Sequence, residues 1–129
     1  MNKIIVEVSI GELLDKISIL EIKQGKIKDP EKLKFINNEY SILKDQLEKN
    51  VKSDNTINKL YQSLKEINAK LWFIEDDKRK CEKDKNFGEK FIKLSRDVHF
   101  LNDDRAKIKL EINNHTGSVI KEIKEYTNY

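Results

Sequence analysis

The chain has 129 residues, a length typical of one domain. It carries 26 Lys and Arg against 23 Asp and Glu, and charged residues make up 38% of it against 37% hydrophobic. Four glycines and one proline are too few for a β-sandwich or barrel, which needs a turn about every 8–12 residues. No apolar run approaches the roughly 18 residues of a membrane span. This composition favours long amphipathic helices.

The charge pattern and the cysteine content argue against further classes of protein. Positive and negative side chains are interspersed in both halves of the chain, whereas a nucleic-acid binder usually concentrates its positive charge on one face. We therefore do not expect nucleic-acid or membrane binding. The first residues, MNKIIVEVSIGE, lack the apolar core of a secretory signal. The single cysteine, Cys81, suits a reducing compartment, so we expect a cytoplasmic protein.

Start signals place the first helix. Ser9 and Glu12 form a capping box, in which each side chain bonds the other's free backbone N–H. The β-branched residues of Lys3–Val8 predict a short extended segment before it. Apolar residues at spacings of three and four then predict a helix over 10–28.

Three more helices and a tail follow. Asp29-Pro30-Glu31 combines an N-cap, a proline at the first helical position and a first-turn acid, and starts a helix over 30–49. The same apolar spacing predicts helices over 55–83 and 88–115. The tail, 118–129, fits either a final helical turn or a strand paired with the N-terminal segment.

These elements predict an all-α fold: an antiparallel up-down bundle in one domain, 1–129. The apolar period near 3.5 favours knobs-into-holes packing, as in a coiled coil. Helices 3 and 4 should each be about 40 Å long and form a hairpin that projects beyond the shorter helices. Such an overhang would leave apolar surface near Cys81 and Phe87, which a second copy could cover.

Arg105 is the most informative polar residue. It falls between Leu101 and Ile108, where the helical period requires an apolar side chain. An unpaired buried guanidinium costs several kcal/mol, so Arg105 must reach solvent or meet a carboxylate. The chain has 23 lysines and three arginines, so a retained arginine indicates a need for its planar five-donor fork.

Two interpretations of Arg105 are open. One is a buried ion pair that fixes the helix register, which is the more frequent role of polar groups in a bundle core. The other is a mid-bundle pocket in which Arg105, Arg96 and Lys109 hold a small anion. The candidate ligand-binding residues are Arg105, Lys109, Asn102, Asp103, Asn113, Arg96, Glu75, Trp72, Glu12, Asp15 and Lys16.

The remaining motifs assign no catalytic residue, and we predict no cofactor. His99 and Asp103 lie one helical turn apart and, with Glu75 or Asp76, could bind a metal. Without a repeated ligand motif we predict no metal site. The chain has no Gly-rich phosphate loop, CxxC pair or Ser/His/Asp arrangement. Trp72 is more typical of a half-buried packing residue than of a ligand-stacking one.

Three segments carry a resemblance: VSIGELLDKISILEIK, LWFIEDD, and LNDDRAKIKLEINNHTGS with the EIKEY tail. They resemble an uncharacterised family of small helical proteins from bacteria and their phages, over nearly the whole chain. The Asn-Asp-x-Arg element at Asn102, Asp103 and Arg105 is the most specific part. The resemblance implies a fold rather than a reaction, and implies that the candidate residues act as a set.

We therefore expect a non-catalytic helical bundle that works through protein–protein contact, as a homo-oligomer or with a protein partner. The alternative is a protein or enzyme that binds a small anionic metabolite or nucleotide at the polar site around Arg105.

Overall fold

The computed structural model describes residues 2–129 and contains four α-helices. They are α1 (Ile10–Lys26), α2 (Pro30–Asn50), α3 (Asn55–Lys83) and α4 (Glu89–Thr116). No strand occurs within residues 2–129. The predicted all-α bundle is confirmed, and every helix begins and ends within two residues of its predicted bounds.

Side-chain caps begin three of the helices. The hydroxyl of Ser9 accepts from the backbone N–H of Glu12 at 3.0 Å, and Asp29 and Asp54 cap α2 and α3 in the same way. The first helix ends at Lys26, two residues before its predicted end. The chain must become extended before Pro30, because proline disfavours the helical conformation of the preceding residue.

The first helix is the centre of the fold, because it packs against all three others. The pairing of Gln24 with Asn37 makes α1 and α2 antiparallel, and α1 runs antiparallel to α4 and parallel to α3. In the described part of the chain, α2 packs along α1, where Ile36 is buried, and its last turn reaches the central cluster of the core. That cluster consists of Leu14, Ile57, Leu64 and Ile112.

The α3–α4 hairpin extends beyond α1. The 17 residues of α1 span about 25 Å, whereas the 29 residues of α3 span about 43 Å. The last turn of α1 reaches Phe73, where the Lys26 ammonium lies 4.1 Å from the ring centroid. At the tip, Phe87 is about half exposed, as expected. The expectation of apolar surface near Cys81 is wrong at that residue, because Cys81 is only 4% exposed.

The tail adopts neither of the two conformations considered from the sequence. It forms neither a helix nor a strand, and it turns back along α4. Glu122 accepts a hydrogen bond from Lys109 at 3.1 Å, and the Tyr129 hydroxyl donates to Asp103. Further out, the Tyr129 ring packs edge-on against His99. Hydrogen bonds with polar side chains of α4 thus hold the tail in position, and no backbone pairing is involved.

Among the described residues, no helix combines the length and the apolar character that a membrane crossing needs.

Gly11 permits a close approach of α1 to α4. A Cβ at this position would lie 2.6 Å from the carbonyl oxygen of Lys109 and 2.9 Å from Oδ1 of Asn113. The first of these atoms belongs to helical backbone and cannot move aside cheaply. Gly25, near the other end of the same helix, would meet nothing within 4 Å.

We expect Gly11→Ala to lower the free energy of unfolding by about 2 kcal/mol, because α1 must move away from α4. The matched change Gly25→Ala should raise it by up to about 0.5 kcal/mol, because alanine favours a helix over glycine. Urea denaturation of the two variants measures both values. Equal effects of the two substitutions would contradict the close approach at Gly11.

Candidate functional site

A buried ion pair lies at the centre of the polar site. Asp15 on α1 is 1% exposed, and Arg105 on α4 contacts both of its carboxylate oxygens. Arg105 Nε donates to Oδ1 at 2.9 Å, and Nη2 donates to Oδ2. Such a two-pronged contact fixes the orientation of the planar guanidinium as well as its position. Arg105 is thus held inside the bundle by a carboxylate, one of the two outcomes expected for a guanidinium at this position.

Two neutral side chains complete the surroundings of Asp15. The Asn68 amide nitrogen, on α3, donates to Oδ1 of Asp15 and to the Ser18 hydroxyl, both at 2.8 Å. The Ser18 hydroxyl donates to the Asp15 backbone carbonyl at 2.7 Å. These bonds link α1, α3 and α4 at one level of the bundle. We call this set, with Arg105, the Asp15 network.

A second cation lies one helical turn along α4. The Lys109 side chain is 10% exposed, and its ammonium donates to Glu12 at 2.6 Å and to Glu122 at 3.1 Å. The same nitrogen lies 3.8 Å from the Asp15 carboxylate. Glu122 belongs to the tail, so the tail also takes part in this site, together with α1 and α4.

These contacts shift the pKa values of the charged groups. Burial alone would raise the pKa of Asp15, but the hydrogen bonds from Arg105 and Asn68 outweigh it and hold the pKa below its usual 3.8. The hydrogen bond to Asp15 raises the pKa of Arg105. Burial opposes the charge of Lys109, yet Glu12 and Glu122 raise its pKa. All three groups are therefore charged at neutral pH.

The first turn of α1 is also satisfied from within the chain. Asn113 Oδ1 accepts from the backbone N–H of Gly11 at 2.7 Å, and the Ser118 hydroxyl accepts from Ile10 at 3.2 Å. With the Ser9 cap on Glu12, three N–H groups of this turn have side-chain partners. A helix N-terminus can bind an anion through such groups, but here protein oxygens occupy them.

Counting charges shows what this site can hold. The carboxylates of Asp15, Glu12 and Glu122 face the cations Arg105, Lys109 and Lys124, a formal sum of zero. The cations are therefore already neutralised, and an added anion would meet no net positive charge. This arrangement is suited to holding helices together.

A cavity of about 470 Å³ opens beside Arg105, between α1 and α3. We call it the Trp72 cavity, and its lining residues are Ile19, Ile22, Asn68, Leu71, Trp72, Glu75, Asp76, Arg79 and Arg105. At its rim the Arg79 guanidinium donates to the Glu75 carboxylate at 3.0 Å. Apolar walls and polar groups therefore meet in the same cavity.

The structure brings most of the sequence candidates together in two groups. The Asp15 network and its surroundings contain Arg105, Lys109, Glu12, Asp15, Asn113 and Asn102, the last of which accepts a 3.4 Å hydrogen bond from Arg105. Trp72 and Glu75 line the cavity on the other side of Arg105.

Three candidates lie elsewhere, for reasons of helix geometry. Arg96 precedes Arg105 by nine residues, which is half a turn around α4, and it lines a separate groove beside Ile92 and Phe100. Lys16 is exposed, because it follows Asp15 by about 100° around α1. Asp103 faces the tail, where it bonds Tyr129. The prediction that Arg96 grips an anion together with Arg105 is therefore wrong.

Other polar residues of the site were not among the candidates. Ser18 lies three residues after Asp15, a spacing that places both on one helix face. This signal could have been found, as could Asn68 at a core position of α3. Glu122 and Ser118 carry no such signal, because the sequence of the tail fits a helical turn or a strand and so does not fix which way these side chains face. Arg79 reaches the Trp72 cavity only through the packing of α1 on α3.

Within residues 2–129, no three His, Cys, Asp or Glu side chains are grouped so as to hold a metal ion. The His99 ring packs against Phe100 and Tyr129.

Comparison with known proteins identifies the family. A family model described as "Family of unknown function (DUF6165)" matches residues 4–129. The chain belongs to DUF6165. No curated protein and no solved structure matches it. Family membership thus covers both terminal segments as well as the helices, but the description of DUF6165 names no reaction.

The Asp15 carboxylate should control acid stability. Since its pKa is lower in the folded chain than the usual 3.8, its contribution is complete above that value and is lost as the pH falls through the folded pKa. Asp15→Asn leaves Arg105 without its counter-charge, so the free energy of unfolding at pH 7 should fall by about 3 kcal/mol. The variant should also lose less stability than wild type upon acidification.

Melting temperatures measured from neutral to strongly acidic pH test this. Asp45→Asn is the matched control, because Asp45 forms an exposed pair with Lys49 on α2. The control should follow the wild-type curve, since exposed pairs contribute little. Identical acid profiles for wild type and Asp15→Asn would contradict the account.

Proposed function

We propose that the protein works without catalysis, through protein–protein contact, and that its first partner is a second copy of itself. The observation that supports this proposal is the large solvent-accessible surface of the chain. The chain exposes 9631 Å². A folded monomer of 15.3 kDa is expected to expose about 7,100 Å².

The excess of about 2,500 Å² is large against what association requires. A standard interface buries about 800 Å² on each partner, and obligate ones bury more. Exposed surface lies on the projecting hairpin, on α2, which covers little besides α1, and on the two terminal segments outside the helices. A contact with another chain would cover such surface.

One face is best suited to this contact. On the side of the hairpin lined by Phe73, Ile92 and Phe100, these side chains are 55%, 55% and 40% exposed. We call it the outer face. Grooves run beside all three residues. Aromatic side chains in such positions supply much of the energy of protein interfaces.

The charges beside Phe73 and Phe100 support the proposal that a second copy of the chain binds the outer face. Lys70 of α3 and Asp97 of α4 line the same groove, and the exposed contact of Asp97 with Lys93 on its own helix can open at little cost. A two-fold axis through this face would allow Lys70 of each chain to meet Asp97 of the other. Such self-complementarity is what a symmetric dimer needs.

The alternative, an anionic ligand or substrate at the Asp15 network, has less support. Its two cations already face three carboxylates. Binding an anion there would require the tail carboxylate, Glu122, to leave Lys109.

Two finer points belong to the same proposal. A cytoplasmic location is supported by Cys81, a buried thiol that is the only cysteine. An origin in bacteria and their phages is supported by the resemblance of the helical segments.

Light scattering after size-exclusion chromatography, over a wide concentration series, tests the proposal. Wild type should approach twice the 15.3 kDa chain mass. The double variant Phe73→Ser/Phe100→Ser should weaken self-association by at least about a hundred-fold, because each aromatic anchor contributes about 1–2 kcal/mol or more. A monomeric wild type throughout the series would overturn the proposal.

The matched control changes two exposed apolar residues of α2, Phe35→Ser and Ile42→Ser. It should leave the dimer intact, because these positions lie on another face. If the control dissociates the dimer and the Phe73/Phe100 variant does not, the assignment of the outer face is wrong.

A further inference from the structure

The Trp72 cavity has features that self-association does not use. At about 470 Å³ it is within the range of small-molecule sites, about 300–1,000 Å³. Ile19, Ile22 and Leu71 give it apolar walls, and the indole of Trp72 is half-buried beside them.

The residue types at this cavity are unusual for the chain. Arg79 and Arg105 are two of the three arginines, in a chain that otherwise uses lysine, and Trp72 is the only tryptophan. All three line the same cavity. Guanidinium and indole groups are planar and stack on flat ligands, whereas a lysine ammonium does not.

An acceptor in the cavity wall completes the site. Asn68 is 5% exposed, and its amide nitrogen donates both of its hydrogens, to Asp15 and to Ser18. In the described residues the one fully buried side-chain nitrogen or oxygen without a partner is the Tyr61 hydroxyl, so solvent reaches Asn68 Oδ1 at the cavity. A ligand donor would take the place of that solvent.

Arg105 supplies the complementary donors. Its guanidinium has five N–H groups, and three of them bond Asp15 and Asn102. The side chain is 27% exposed, which leaves two N–H groups for a ligand. The cavity therefore offers an acceptor and a donor from neighbouring side chains.

The charges at the cavity define the ligand further. Two cations, Arg79 and Arg105, and two anions, Glu75 and Asp76, line the cavity, so the lining sums to zero, and Asp15 lies behind Arg105. This balance does not favour an anion. It suits an uncharged molecule with both hydrogen-bond donors and acceptors.

We propose that the Trp72 cavity binds an uncharged planar nitrogen heterocycle of the nucleobase class, as a free nucleoside. The ring stacks on Trp72, a ring N–H donates to Asn68 Oδ1, and a ring acceptor receives an N–H of Arg105. The sugar lies toward the rim, where the exposed Arg79–Glu75 pair can open at little cost.

Trp72 gives a direct readout, because any change in tryptophan fluorescence comes from this cavity. Adenosine, guanosine, cytidine and uridine are titrated separately into the full-length protein, with excitation at the red edge of indole absorption, where the nucleosides do not absorb. At least one should quench saturably. Inorganic phosphate and benzoate, used as anionic probes, should not.

Arg105→Lys should weaken binding about ten-fold or more, because it keeps the charge beside Asp15 but removes the spare planar donors. Arg96→Lys is the matched control, with the same chemical change on another face of α4, and should bind like wild type. Trp72→Leu should abolish nucleoside signals in ligand-observed saturation-transfer NMR, and circular dichroism shows whether each variant folds.

Several results would overturn the proposal. These are no saturable quenching by any nucleoside at millimolar concentration, equal affinity in wild type and Arg105→Lys, or unchanged NMR signals with Trp72→Leu. Quenching by phosphate, by benzoate or by a single-stranded oligonucleotide alone would also overturn it. A dimer that still forms while these tests fail would leave the proposed self-association intact, since the outer face is a separate surface.

Discussion

The rest of this bundle depends on one buried carboxylate. Asp15 lies where α1, α3 and α4 meet, and a charge so nearly excluded from water is tolerable only with a cation and hydrogen bonds around it. Arg105 and Asn68 supply them from the two other helices. Sliding α1 by one turn would separate these partners. The network therefore fixes the register of a fold whose apolar positions alone would permit several.

The same constraint explains the relation between the site and the tail. Lys109 extends the network outward, and Glu122 of the tail completes its coordination. Because these charges neutralise one another, the buried ion pairs serve to hold the helices together. We propose two surfaces for contact with other molecules: the outer face of the hairpin and the cavity beside Trp72. They involve different side chains and so could act independently.

Much of the fold was predictable from local signals. The caps at Ser9 and Asp29 and the spacing of apolar residues placed the helices within two residues, because these interactions are short-range. Arg105 was recognisable because it interrupts an apolar register. Its partner on α1 was among the candidates, since a guanidinium in a core requires a carboxylate. What remained open was which carboxylate, and that depends on tertiary packing.

The errors have the same origin. Arg96 was grouped with Arg105 by residue type, although nine residues turn it to the opposite side of α4. The sequence of the tail fits more than one conformation, so its contact at Glu122 was not predictable. The most direct measurement of the central claim is a double-mutant cycle with Asp15→Leu and Arg105→Met. Each single variant should lose about 3 kcal/mol, whereas the double variant should stay within about 1 kcal/mol of wild type. Additive losses would contradict the claim that this pair holds the helices in register.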